Sequence, residues 1–398
     1  MVAPRHPTIL ALAFFQVCAG ILEVETTLFG AFMLSLRASS EVLGLVLGAG
    51  CCTAVLGSFL GGQLTDLVGA RKLFLSGVAL ATLGLAVEGL STSWLTAALG
   101  FLAIQGAQTA YHPAALRLVA EAAPDHMGSA LGFLNTVYSV VAIGGALLTG
   151  WLAQEAGWSA VFLAKTGLHL LALLVMVPLI PPQRHLTPPP QRQRKGQEWL
   201  SPLRSAPLRH IYAALAAGTV LSYAPSFLAY DQRLAGRPLA LACFPSIYNA
   251  VWLLSNWPAG VLGDKLGCWK VVVSGYALAS LAWLLFPWPR ETVHLYLLYS
   301  LYCLGNSAGS YAEVLVMKHA PQGEQGRAMG LLNVFRFAGS AIGEGCGGLL
   351  WRILGAEASY ILTALGMGLA CILVLKASQS SKTCALFPDG GDSKSLRR

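Results

Sequence analysis

Glu23, Glu25, His112, Arg336 and Glu344 are ionisable side chains set inside long apolar runs of a 398-residue sequence. A charge at the centre of such a run costs roughly 2.5 to 3.5 kcal/mol on insertion scales, so each must face protein or a wet cavity. Glu23 lies near the middle of its run, where burial would favour the neutral acid and water or a cation the carboxylate, the requirement for a group that binds and releases a proton. Glu25, two residues on, lies off the same face. Arg336 and Glu344 stand two turns apart on one helix and could engage opposite ends of a ligand, or Arg336 could neutralise Glu23. His112 precedes Pro113, so a protonatable cavity group competes with a packed histidine beside a helix kink.

The uncharged polar residues fall into stripes with helical spacing. Gln16, Gly20, Glu23, Thr27 and Gly30 share one face, as do Gln105, Gln108, Thr109 and His112. Asn306, Ser310 and Glu313 make a third stripe, and Asn333, Arg336, Ser340 and Glu344 a fourth. Asn135, Asn249, Tyr138 and Tyr223 are further candidates for cavity walls, with Tyr248, Trp252 and Trp257 as aromatic surfaces or plain packing. Lys165 and His169 sit one turn apart, and snorkelling of Lys165 to the headgroups competes with a place in the cavity. Glycines 339, 343 and 347 form a small-residue ridge for close helix contact. Nucleophile and zinc motifs such as G-x-S-x-G and H-E-x-x-H are missing, and the nine cysteines show no C-x-x-C spacing, so neither an enzyme nor a metal or other cofactor is expected.

The elements that must position these groups follow from composition. Hydrophobic residues make up 55% of the chain, charged ones 11%, and the mean hydropathy is +0.62, values of an integral membrane protein. Apolar runs of spanning length recur between residues 8 and 376 and divide into twelve candidate transmembrane helices, the first of them uncleaved. The third, ninth and twelfth carry almost no polar groups. Most of the 26 Lys and Arg residues gather on one side, which places both termini in the cytoplasm and attributes the net charge of +8 to topology and anionic lipid, not to nucleic acid. No Asn-x-Ser/Thr acceptor occurs, in agreement with a bacterial inner membrane.

Residues 181–208, rich in Pro, Gln and Arg, form a cytoplasmic linker between an N-terminal bundle at 1–180 and a C-terminal bundle at 209–376, followed by a tail at 377–398. Sliding the sequence against itself by 198 residues places Gly62, Leu64, Asp66, Gly69 and Lys72 on Gly260, Leu262, Asp264, Gly267 and Lys270. The same offset aligns Ala130, Gly132, Leu134, Asn135, Gly145 and Gly150 with Ala328, Gly330, Leu332, Asn333, Gly343 and Gly348. Two regions with one offset imply a duplicated six-helix unit, all-α and pseudo-symmetric about the membrane normal.

The loop "GGQLTDLVGARK" resembles the signature G-x-L-a-D-r-x-G-r-k of the major facilitator superfamily, and the resemblance extends over essentially the whole chain. It implies a secondary transporter of a small organic molecule that works by alternating access and as a monomer, with the first, fourth, seventh and tenth helices lining the cavity. It also implies that Asp66, Arg71 and Lys72 latch the cytoplasmic gate. In the fourth helix the family's exporter motif R-x-x-Q-G keeps Gln105 and Gly106 but has Leu102 in place of arginine. The compact loops and acidic first helix resemble bacterial efflux members, so proton-coupled export is the expectation. An uptake permease, a uniporter or a transport-inactive sensor are the alternatives.

Overall fold

The computed structural model describes residues 6–24, 26–182, 201–309, 311–320 and 325–386, and all regular elements among them are helical. In chain order these are α1 (Pro7–Ile21), α2 (Thr26–Ser35), α3 (Ser40–Val68), α4 (Ala70–Gly89), α5 (Trp94–Ala122), α6 (Met127–Ala156) and α7 (Trp158–Leu179). The second half contains α8 (Ala206–Leu221), a 3-10 segment (Ala224–Tyr230), α9 (Pro238–Leu266), α10 (Cys268–Leu285), α11 (Thr292–Gly309), α12 (Ala312–His319) and α13 (Gln325–Leu386). In a bilayer every backbone donor and acceptor must be satisfied within the segment, so a chain this apolar has little choice but helix. Ser39 and Ser93 cap α3 and α5 by accepting from the amides of Val42 and Thr96, while Pro207 and Pro238 lie in the first turns of α8 and α9.

Among the described residues, 8 helices are long and apolar enough to cross a membrane, or 9 if α1 and α2 count as one span bent by 44°. Two features account for the shortfall against twelve. The polar stripes lower the hydropathy of α5 and α11, and α13 runs on across Gly355, where φ is 80° and ψ 176°, leaving two arms at 325–354 and 356–386.

Gly355 belongs to a set. Gly69 (φ 92°), Gly157 (φ 84°) and Gly267 (φ 93°) each join two successive helices in the same left-handed conformation. The offset of 198 maps Gly69 onto Gly267 and also Gly157 onto Gly355, a second pair of hairpins that the sequence comparison had not used. Side chains strain this region of backbone, which leaves it to glycine.

Within the first half α1 packs on α6 and α7, α3 on α5, and α4 on α5 and α7; within the second, α8 packs on α13, α10 on α11 and α13, and α9 on α11. The glycine ridge at 339, 343 and 347 serves this internal packing, lying against Thr219, Val220 and Tyr223. Contacts between halves run α3 to α13, α6 to α9, and α2 to the 3-10 segment and α9. We call the end that holds His6, Gly69 and Gly267 proximal and the end that holds Ala38, Gly157 and Gly355 distal.

The distal contacts are backbone-close. A Cβ on Gly44 would come within 2.6 Å of the Glu344 carbonyl, and one on Gly150 within 2.8 Å of the Pro238 carbonyl. Ser40 Oγ donates to Gly348 O (2.9 Å), Thr27 Oγ1 to Pro225 O (3.3 Å) and Tyr230 Oη to Ala38 O (2.8 Å). On the proximal side, Gly62, Gly128, Gly132 and Gly330 have nothing within 4 Å of a built Cβ. The halves are therefore joined distally and parted proximally.

Gly355→Ala is expected to cost roughly 1 to 3 kcal/mol, because the backbone there is nearly glycine-only. Its melting temperature in detergent should fall by several degrees. Gly62→Ala, helical and in open space, should leave melting unchanged or slightly raised.

Candidate functional site

Each half encloses a polar cavity. In the first half α1 ends at Ile21, and Glu23 lies in the break before α2, on the wall of a cavity of about 320 Å³. Gln16 from α1, Gln105 and Gln108 from α5 and Tyr138 from α6 line it with Glu23. Three further residues join them: Glu88 from α4 and Lys165 and His169 from α7. Glu88 is 2% exposed and Lys165 8%, and both side chains face this one cavity. Lys165 does not snorkel, and the third span is not free of polar groups. Glu88 escaped the sequence reading because it has no polar neighbour at helical spacing on its own helix. Its room comes from Gly100 on α5, where a Cβ would lie 2.7 Å from Glu88 Cγ.

The second cavity, about 360 Å³, lies among α8, α9, α10, α11, α12 and α13. Asn306, Glu313, Arg336 and Ser340 supply its polar wall, and Tyr248 and Trp252 stack at 5.8 Å between ring centroids to form an aromatic one. Arg336 Nη2 donates to Glu313 Oε1 at 2.7 Å. Arg336 thus pairs within its own half, with the acid of the neighbouring stripe, and not with Glu23. The offset of 198 superposes Gln108 on Asn306 and Tyr138 on Arg336, so equivalent positions face the two cavities.

Other expected residues lie elsewhere. Glu344 is on the sealed distal crossing, where one carboxylate oxygen accepts from Ser226 Oγ at 2.7 Å and the other is buried without a hydrogen-bond partner. It therefore cannot grip a ligand together with Arg336 in this arrangement. Tyr223 is fully buried against Gly347 and Phe227, and Asn249 is buried with its amide donating to Pro245 O within α9 (2.9 Å). Neither lines either of these two cavities, because both face the packed side of their elements. His112, one turn from Gln108 on the same face of α5, is exposed, as are Asn135 and Asn333 on α6 and α13. α5 continues through Pro113 to Ala122. Glu25, Ser310 and the side chain of Trp257 lie outside the described residues, as does most of the linker.

In the 61–72 loop Asp66 pairs with Arg117 of α5 at 3.0 Å, and Arg117 also holds Glu121. Arg71 donates to the carbonyls of Val177 (2.8 Å) and Ile180 (2.7 Å), closing the C-terminal end of α7 where a cation is favoured. Lys72 is exposed. All these partners belong to the first half. In the second copy Asp264 and Lys270 are exposed, and the positions 198 residues beyond Arg71 and Arg117 are Trp269 and buried Leu315. Trp269 packs edge-on to His319, so the copy has kept the turn glycine and lost the basic network.

A family model described as Major Facilitator Superfamily matches residues 10–344. The chain belongs to the major facilitator superfamily. Among curated proteins it is similar to "Multidrug resistance protein MdtG" of Dickeya zeae (strain Ech586), 26% identical over 76% of each chain. It is also similar to "Multidrug resistance protein MdtH" of Aeromonas salmonicida (strain A449), 25% identical over 92% of each. Its fold resembles that of the nucleoside transporter NupG, with a TM-score of 0.74 and 15% identity over 94% of this chain and 98% of that one. A POT family transporter in complex with 5-aminolevulinic acid superposes with a TM-score of 0.72 and 13% identity, over 94% and 96%.

This superfamily member carries a second ionic cluster distally. Asp231, 3% exposed, accepts from the Arg233 side chain (2.6 Å at the closest) and amide (2.8 Å) and from the Tyr360 hydroxyl. Arg233 also donates to Pro289 O at 2.8 Å and lies over the Phe286 and Tyr360 rings. Burial opposes ionisation of Asp231, but the hydrogen bonds and charge of Arg233 and the bond from Tyr360 outweigh it and hold the carboxyl below its usual value. A depressed folded value adds stability above the ordinary carboxyl range, which is lost as pH falls through the lowered one. Asp231→Asn should destabilise the fold by roughly 3 kcal/mol, the lower end for breaking a buried pair, since Arg233 keeps some access to water. Melting followed from neutral to acidic pH should show a loss in the wild type that flattens in this variant.

Proposed function

We propose that this transporter exports small organic molecules in exchange for protons, by alternating access between its two halves. The observation that carries the reading is the pair of polar cavities at equivalent positions in halves that touch distally and part proximally. With the basic loops at the proximal end, that end is cytoplasmic, both termini lie there, and the arrangement is inward-open. The twelve crossings comprise α1 with α2, α3 to α7, α8, α9, α10, α11 with α12, and the two arms of α13. Bundles at 1–180 and 209–376 move as units about the linker, in a monomer in a bacterial inner membrane.

The names of the two curated relatives support export of drug-like compounds, and the stacked Tyr248 and Trp252 beside the Arg336–Glu313 pair suit a flat ligand with a polar edge. Glu23 exchanges the coupling proton. The Asp66–Arg117 and Arg71 contacts preform the latch within the first half, ready to meet the second when the proximal side closes.

The test is reconstitution in liposomes with an internal pH-sensitive dye and a panel of drugs, sugars, amino acids and organic acids. A drug-dependent proton flux is expected. Arg336→Ala should reduce it at least tenfold through loss of binding, and Glu23→Gln should abolish proton movement while drug exchange down its gradient persists. Drug movement by the wild type without proton flux would refute coupling, and inward accumulation against a gradient would refute export.

A further inference from the structure

A groove of about 870 Å³ opens on the outer face of the second half, on sides of α9, α10 and α11 turned away from the second cavity. Leu254, Leu262 and Leu297 stand exposed along its rim, and Ser255, Gly275 and Ser307 are buried at its floor. The internal duplication explains why it exists. In the first half a Cβ on Gly57 of α3 would overlap Thr109 Oγ1 of α5, and one on Gly61 the Ala110 carbonyl, so these two helices meet backbone to backbone. The positions 198 residues on are Ser255 and Ala259 of α9 and Ser307 and Ala308 of α11, and all four line the groove. Side chains replace the glycines, Pro258 interrupts the α9 hydrogen bonds between them, and α9 and α11 part. Ser255 Oγ donates to Ser307 Oγ at 2.7 Å and bridges them at the floor.

Depth and charge set this groove apart from the rest of the lipid-facing surface. It takes in residues 251–266 of α9 and 270–278 of α10, the proximal half of each helix, and residues 297–308 of α11, near the middle of that crossing. At 1.5 Å per residue the proximal stretches are about 12 Å long on α10 and about 22 Å on α9, which brackets the roughly 15 Å depth of one hydrocarbon leaflet. Among the described residues that line the groove Lys270 alone is charged, and it stands at the proximal end, in the first turn of α10. Lys318 of α12 reaches the same turn, donating to Cys268 Sγ at 3.3 Å, while Asp264 and Lys265 at the end of α9 offset each other, so this end is positive. We propose that the groove holds one anionic phospholipid of the proximal leaflet, with an acyl chain between α9 and α11 and its headgroup phosphate on Lys270. The chain supplies the packing that glycine contact supplies in the first half. It braces the wall of the second cavity, where Trp252 and Asn306 lie within a turn of Ser255 and Ser307. On the orientation proposed above this leaflet is the inner one, but binding is measurable without transport and in either orientation.

The full chain, purified in detergent and stripped of lipid, would be titrated with phosphatidylglycerol or phosphatidylcholine, and the first bound lipid followed by native mass spectrometry. The wild type should prefer phosphatidylglycerol by roughly fivefold, the weight of one lysine near an anionic headgroup. Lys270→Gln should bind the two lipids alike. Ser274→Phe, which fills the groove from an exposed position and so leaves the fold intact, should lose the tight site for both. Lys72→Gln, at the equivalent exposed position of the half without this groove, should keep the wild-type preference. Equal binding of the two lipids by the wild type would overturn the proposal, as would a preference that survives Lys270→Gln or Ser274→Phe, or one lost equally in Lys72→Gln, which marks diffuse surface charge. A drug of the transport panel that binds the wild type and not Ser274→Phe, in a protein indifferent to phosphatidylglycerol, would assign the groove to transported ligands instead. Failure of drug-dependent proton flux in liposomes, together with the expected lipid pattern, would refute coupled export and leave the lipid site standing.

Discussion

Backbone contact between helices of opposite halves is the constraint on which the remaining arrangement depends. Hydrocarbon offers helices no hydrophobic reason to associate, so attraction must come from close packing, and close packing needs positions without side chains. Gly44 and Gly48 on α3 meet the Glu344 carbonyl and Gly345 on α13, while Gly150 on α6 meets the start of α9. These crossings lie distally and draw the halves together there. The proximal glycines, Gly132 and Gly330 among them, face open space, and the cleft exists because the crossings stop short of that end.

Ionic contacts follow a complementary rule, since these charged side chains find partners inside one half. Arg336 pairs with Glu313, Asp66 with Arg117, and Asp231 with Arg233. An ion pair between halves, Arg352 with Glu41, occurs at the distal rim, where Arg352 is largely exposed and separation costs little desolvation. Rocking of two such halves would therefore break weak rim contacts and backbone packing without stranding a charge in a dry interior, the expensive event. The duplicated sequence diverges in the same spirit. The first half retains the basic network around Asp66, and the second replaces two of its bases by Trp269 and Leu315, so the halves are alike in backbone and different in charge.

Much of the site was legible because stripes at helical spacing mark the face that avoids lipid. Gln16, Glu23, Gln105, Gln108, Asn306 and Arg336 all reached cavities on that logic. It failed in both directions where a helix has more than one protein-facing side. Glu344 continues the Arg336 stripe by two turns, yet along a helix this long the same face passes from the cavity into the distal crossing. Tyr223 and Asn249 are polar residues absorbed by packing, and Glu88 is an isolated acid whose cavity neighbours lie on helices remote in sequence.

Composition, run length and the offset of 198 suffice for an all-helical membrane chain built from two copies of one unit, because hydrocarbon compatibility and glycine-only turns are properties of residues taken in order. Partnerships between charges, and the end at which the halves meet, come from the packed molecule alone. Coulomb attraction and steric fit depend on distances between helices, and a pattern along one helix carries no information about what another helix brings to within 3 Å of it.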